Sequence, residues 1–209
     1  STEFQRVYRQ GRSKANRHLV LYSFARGDAE ESRPRFGVSV GRKVGNAARE
    51  VCQGAIIQTQ RRCDLTSTKA EHFRVTEMKT GALFAAATGL AANLSGLDSD
   101  AEARLYDYGM KLGTAYQIYD DCIDLIGDER DYGKTLRTDL NKGKLTLPIL
   151  NLLGTASERQ REKLNRLLLQ REPIDLSALA NIADYVGAIE ASIDSGQGLV
   201  TRARGLLEV

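Results

Sequence analysis

The chain has 209 residues, enough for one domain of ordinary size or two small ones. Hydrophobic residues make up 42% and charged residues 27%, a balance that argues against a disordered chain, and no apolar run approaches the ~20 residues a membrane helix needs. The net charge of +3 hides a split: residues 1–48 carry ten Lys or Arg against four Asp or Glu, while the rest carry twenty against twenty-three, which suggests two regions with different partners.

In chain order, Phe4, Val7 and Tyr8 stand at helical spacing within residues 2–10, and Gly11 ends that turn. His18 to Phe24 is β-branched and aromatic and reads as a strand. Arg35 to Val44 alternates Phe36, Val38 and Val40 on one face and reads as a second strand, after which Asn46 is the expected helix cap. From about Ala47 the pattern is helical throughout. The expected helices run from there to Arg62, from His72 to Leu94, from Glu102 to Ile126, over Leu145–Leu153, from Ser157 to Leu169, over Leu176–Tyr185 and over Ala188–Leu207. Glycines near the end are expected to interrupt the last of these. The N-terminus has no basic-then-apolar secretion pattern, which places the protein in the cytoplasm. Cys52, Cys63 and Cys122 form no C-x-x-C pair and read as reduced thiols.

The densest chemistry lies between Tyr119 and Pro148. Gln117, Asp121, Asp124 and Asp128 follow steps of four, three and four, so a helix puts them on one face, with Asp120 beside the stripe. Carboxylates so close repel by a few tenths of a kcal/mol per pair, and a cation relieves the repulsion. Oxygen-only ligands point to Mg²⁺ rather than Zn²⁺. A solvated acidic helix face accounts for the same spacing, because D-D-x-x-D is a short motif. Lys134, Lys142 and Lys144 follow closely, and Lys79 and Thr80 open the Ala-rich helix upstream. Carboxylates and lysines belong together if an anionic ligand bridges them through metal. The neighbouring GDERDYGKT (Gly127 to Thr135) misses the P-loop pattern by one residue, and its acidic residues would repel a cradled phosphate.

Four segments in order now resemble the C-terminal half of the polyprenyl synthetase family. Glu50 to Gln60 resembles the segment around G-E-x-x-Q, with Ala55 in place of its Glu. Met78 to Ala87 resembles K-T-x-x-L-F. Gly113 to Asp128 resembles the second aspartate-rich motif, and Gly133 to Pro148 resembles the tail G-K-x-x-x-x-D-x-x-x-G-K-x-T-x-P. The resemblance implies a mainly α, partial isoprenoid-synthase-like bundle over residues 49–209. It implies that Asp120, Asp121 and Asp124 hold Mg²⁺ on an allylic diphosphate. Lys79, Lys134 and Lys144 would contact that diphosphate, and Lys79, Thr80 and Gln117 would line the reaction centre. In the family, diphosphate departs with metal assistance, isopentenyl diphosphate attacks the allylic cation, and a proton is lost. The family's first aspartate-rich motif has no counterpart in residues 1–100. The lone chain is therefore expected to bind better than it turns over, and to self-associate or take a heteromeric partner that supplies the missing half.

Residues 1–48 are similar to another family, the ribonuclease P protein component, through EFQRVYRQGRSKANRHLVLYSFARG and RFGVSVGRKVGNA. That resemblance implies a small helix-plus-two-strand α/β segment and an alternative role in binding RNA. Arg33, Arg35, Arg42 and Lys43 would then meet phosphates, and Phe36 would stack on a base. A solvated basic surface is the competing reading. The two resemblances meet near Ala47–Glu50, where a continuous helix is able to cross the join.

Overall fold

The structure, a computed structural model, describes residues 12–15, 20–23, 42–127, 129–133, 135–170 and 174–208. The chain divides into two compact units, Ser1–Val40 and Gly41–Val209. In the first, strand β1 (Arg12–Ala15) pairs antiparallel with β2 (Val20–Ser23), Arg12 opposite Ser23 and Ala15 opposite Val20. The strand expected over 18–24 is therefore present as β2, while its partner β1 was not anticipated. The helix expected over residues 2–10 lies outside the described residues, as do Arg33, Arg35 and Phe36.

The second unit begins with α1 (Arg42–Gln60). The strand expected to reach Val44 is corrected here: residues 42–44 form the first turn of this helix. Alternation stops at Val40, and Val44, Ala47, Val51 and Gly54 recur at helical spacing instead. Asn46, expected as the cap, is an exposed residue inside α1. Residues 42–48 accordingly belong to the helical unit, and α1 runs unbroken through the expected boundary at 48/49.

After a turn, α2 (Lys69–Thr76) starts at a capping box. The Thr68 hydroxyl accepts from the Glu71 N–H, and the Glu71 carboxylate accepts from the Thr68 N–H. The helix then widens into one π-turn (Glu77–Gly81) and continues as α3 (Ala82–Leu94). Asp98 caps α4 (Ser99–Ile126), the longest helix. Two single-turn helices, α5 (Glu129–Tyr132) and α6 (Thr138–Asn141), lead to α7 (Leu147–Thr155), which has Pro148 in its first turn. A Ser157–Gln160 capping box opens α8 (Glu158–Leu168). Asp175 caps α9 (Leu176–Ile182), and Asp184 caps α10 (Tyr185–Gly205). Glycines do not break this last helix as the sequence reading expected, because α10 packs along α4 and α7, and those contacts outweigh glycine's weak helix preference.

The main core gathers Leu125, Leu140, Ile149, Leu152, Leu164, Leu179 and Ile189 from α4 and α6–α10. A second cluster joins Ala115, Ile118, Leu147 and Leu199, with Phe73 packed against it. Glycines set the approach of α3 to α4. A Cβ at Gly109 would lie 2.5 Å from the Phe84 carbonyl oxygen, and one at Gly113 2.8 Å from the Phe84 ring. Among the described residues, no helix is long and apolar enough to cross a membrane.

Candidate diphosphate and metal site

The site is built where the π-turn faces the middle of α4. A π-turn inserts an extra residue into a helix and re-aims the side chains it carries. Here it carries Lys79 and Thr80. Gly54 of α1 lies against it: an added Cβ would stand 3.0 Å from both the Lys79 nitrogen and the Met78 Cβ. That close approach lets Gln58, one turn on, accept a 2.9 Å hydrogen bond from Lys79 Nζ.

From the π-turn a polar chain crosses to α4 and the loop after α6. The Thr80 hydroxyl donates to Gln117 Oε1 at 2.8 Å, and Gln117 Nε2 donates to Asp121 Oδ1 at 3.0 Å. Lys144 Nζ donates to the same Asp121 oxygen at 2.8 Å and to Asp139 Oδ2 at 2.7 Å. Gly143, at φ +74°, turns the backbone that presents Lys144. Its carbonyl accepts from the Cys63 N–H at 2.8 Å, tying this loop to the end of α1. Asp121 is 0% exposed, and the Lys144 side chain is 10% exposed.

Electrostatics report the same convergence. Burial lowers the Lys79 pKa, and Lys144 lowers it further, while Asp139, Asp121 and Asp120 pull it back up. For Lys144, burial works against the charge, but Asp121 and Asp139 outweigh it and the pKa is raised. Burial raises the Asp124 carboxyl, an effect partly offset by the Asp139 N–H, which donates to its Oδ2 at 3.2 Å. Asp124 is thereby turned toward the α6 segment. Its own carbonyl accepts from the Arg137 N–H at 2.7 Å.

The structure thus brings together Lys79, Thr80, Gln117, Asp121 and Lys144, with Asp120 half-exposed on the adjoining flank. Lys134 and Asp128 lie outside the described residues. Among the described residues no three His, Cys, Asp or Glu side chains form a ready-made metal cage. The donor set still suits Mg²⁺, which takes one or two protein carboxylates and completes its octahedron with water and phosphate oxygens. Asp121, fully buried, and half-exposed Asp120 offer carboxylate oxygens of that kind. Arg42 and Lys43, suggested for RNA, lie exposed in the first turn of α1, and Lys43 is ion-paired with Glu102 of α4.

Sequence reasoning missed three members of the site. Gln58 occupies the Q of the G-E-x-x-Q resemblance and was signalled by it. Asp139 is the D of the tail motif and had the same signal. His72, whose Nε2 stands 3.8 Å from Asp121 Oδ2, had none.

The chain is similar to several known proteins. The family model for polyprenyl synthetase matches residues 16–186, and so also covers much of the basic segment before α1. A short chain isoprenyl diphosphate synthase of Methanothermobacter thermautotrophicus is 32% identical over 88% of this chain and 55% of its own length. An octaprenyl diphosphate synthase of Escherichia coli is 36% identical over 56% of this chain and 37% of its own. The chain spans about half the length of the first of these relatives and less of the second. Among solved structures, a polyprenyl synthase of Caulobacter crescentus, complexed with calcium and isoprenyl diphosphate, superposes with a TM-score of 0.72 at 30% identity. That match covers 79% of this chain and 51% of that one. A decaprenyl diphosphate synthase of Rhodobacter capsulatus gives 0.71 at 31% identity over 79% and 52%. With most of its length matched by the family model and its helices matched in space, the chain belongs to the polyprenyl synthetase family.

Proposed function

We propose that this chain carries the second-aspartate-motif half of a prenyl diphosphate synthase and binds an allylic diphosphate with Mg²⁺. Asp120, Asp121 and Asp124 would hold the metal, and Lys79, Lys134 and Lys144 would meet the diphosphate oxygens. The observation that supports this most is the hydrogen-bonded chain from Thr80 through Gln117 and Asp121 to Lys144, with Lys79 inside its field. Surface charges do not arrange themselves in this way, since each member here is held by a partner from a different element.

The residues divide the work. Lys144 neutralises Asp121 and is the nearest ammonium to hand over to an incoming phosphate. Lys79, held by a neutral glutamine, keeps its charge available for a phosphate oxygen. Gln117 fixes the Thr80 hydroxyl and the Asp121 carboxylate together, so both sides of the reaction centre are oriented by one side chain. When bound, Mg²⁺ supplies charge stabilisation to the departing diphosphate. Transfer of the allylic group to isopentenyl diphosphate further requires a first aspartate-rich motif.

Isothermal titration calorimetry of the 209-residue chain tests the reading. Allylic diphosphate is expected to bind in the presence of Mg²⁺ and to lose at least tenfold in affinity in the Asp120→Ala/Asp124→Ala double variant. No binding, or binding indifferent to that substitution, would sink it.

A further inference from the structure

His72 sits on α2 with its side chain 7% exposed, edge-on to Phe73. Its ring lies within reach of the charges of both Asp121 and Lys144 and is also hydrogen-bonded to the Leu145 backbone. The two Asp121 oxygens are treated differently. Oδ1 accepts from both Lys144 and Gln117, whereas Oδ2, fully enclosed, accepts from nothing. A buried carboxylate oxygen without a donor is costly, and structures rarely tolerate one without a reason. His72 Nε2 is 3.8 Å away, about an ångström beyond a hydrogen bond, and at 3.5 Å it also faces the Thr76 hydroxyl.

We propose that His72 is a positioning residue for Asp121: its ring N–H takes Oδ2 once an anionic ligand draws Lys144 off Oδ1, so that Oδ1 stays aimed at the metal. This inference rests on the proposed diphosphate reading and deepens it. While Lys144 and Gln117 both grip Oδ1, the carboxylate is pulled toward them and away from His72. When Lys144 turns to phosphate, one of those restraints goes. A rotation of the carboxylate by a fraction of its length then closes the remaining gap to His72. Partners of this outer kind orient metal-binding groups, and their loss typically costs tenfold or more in metal affinity. Thr76, one helical turn along α2, is placed to hold the ring from the side.

The test uses the full chain, Mn²⁺ as a paramagnetic stand-in for Mg²⁺, and inorganic diphosphate. Electron paramagnetic resonance reads free Mn²⁺ as diphosphate is added. Wild-type protein is expected to take up Mn²⁺ with diphosphate. His72→Phe, which fills the same space without a donor, is expected to bind it about tenfold more weakly with circular dichroism and melting little changed. His72→Gln, which restores an N–H, is expected to return within about threefold of wild type. Unchanged binding in His72→Phe overturns the inference, as does a glutamine variant no better than phenylalanine. Should wild type itself fail to bind, the diphosphate reading falls and takes this one with it, a result distinct from the other two. A second measurement needs no substitution at position 72. The chain has two histidines, so nitrogen NMR with a His18→Gln control assigns the His72 ring. Its Nε2 signal is expected to move on adding Mg²⁺ and diphosphate, and a ring that does not respond overturns the proposal.

Discussion

Asp121 is fully buried, and the ammonium that answers it, Lys144, reaches it from 23 residues away. Removing one partner of such a pair strands a charge in a poor solvent, which typically costs about 3–5 kcal/mol. Lys144→Met is therefore expected to be severely destabilised in urea or thermal melts, and Lys144→Met/Asp121→Asn to recover a large part of the loss. A double-mutant cycle reads the coupling directly, and additive losses would contradict the pairing. Asp124 behaves in the opposite sense. Its pKa lies above the ordinary carboxylate value because burial disfavours its charge. The folded state thus holds that proton more tightly than the unfolded chain. The associated stability is fully present below the unfolded pKa and is lost as pH rises through the raised folded value. At neutral pH the charged group is a net cost, which ligand binding can repay. Asp124→Asn is expected to raise the pH 7 melting temperature by roughly 2–4 °C and to lose that advantage as the pH falls toward 4, while weakening Mg²⁺-dependent binding. A wild type that melts higher than the variant at pH 7 would contradict the sign.

At the scale of elements, small residues decide how closely helices approach. A methyl group at Gly109 would meet the Phe84 carbonyl of α3, and backbone cannot swing aside as a side chain can. Gly109→Ala is expected to cost about 1–3 kcal/mol by overpacking, seen in the urea midpoint. Gly205, at the end of α10, has nothing within 4 Å of an added methyl group. Gly205→Ala is expected to stabilise by up to about 1 kcal/mol, because only the unfolded chain loses freedom. The limits of these helices were largely legible from local chemistry. The end of α4 at Ile126 and the capping of α8 by Ser157 follow from apolar spacing and side-chain oxygens, which act within one turn. The π-turn was not legible: Glu77 to Gly81 reads as ordinary helix, and the widening depends on what α1 and α4 press against it. The start of α1 was misread for a related reason, since alternation and helical spacing overlap across Val40 to Val44. In the site, Lys79, Thr80, Gln117 and the aspartates were legible through motif order. His72 was not, because its partner lies 49 positions along the chain on another helix.

For the molecule as a whole, the deciding fact is how much of a synthase these residues contain. The chain spans 55% of its Methanothermobacter relative, and residues 1–100 carry no D-D-x-x-D-type cluster. Leu94 and Leu97 before the start of α4, and Tyr116, Tyr119 and Ile126 toward its far end, are exposed. Binding and turnover should then separate. Ligand that binds only the folded state adds stability by mass action, about 2.7 kcal/mol at a hundred times its dissociation constant. For a chain of this size that is a melting shift of roughly 5–10 °C. On the proposed reading, Mg²⁺ with allylic diphosphate is expected to give such a shift and either alone much less, because Lys144, paired with Asp121, would leave it only for phosphate. Catalysis asks for more, since only interactions stronger in the transition state than with bound substrate speed the chemistry. On the proposed reading, a single aspartate motif would leave much of the charge on the departing diphosphate unanswered. Radiolabelled isopentenyl diphosphate is expected to enter product at background level with this chain alone. Incorporation is expected to rise when a polypeptide bearing the first aspartate motif is added, and to fall again with Asp121→Asn in this chain. Full turnover by the lone chain would overturn that division of labour, and a mixture indifferent to Asp121→Asn would show that the added polypeptide works without this site.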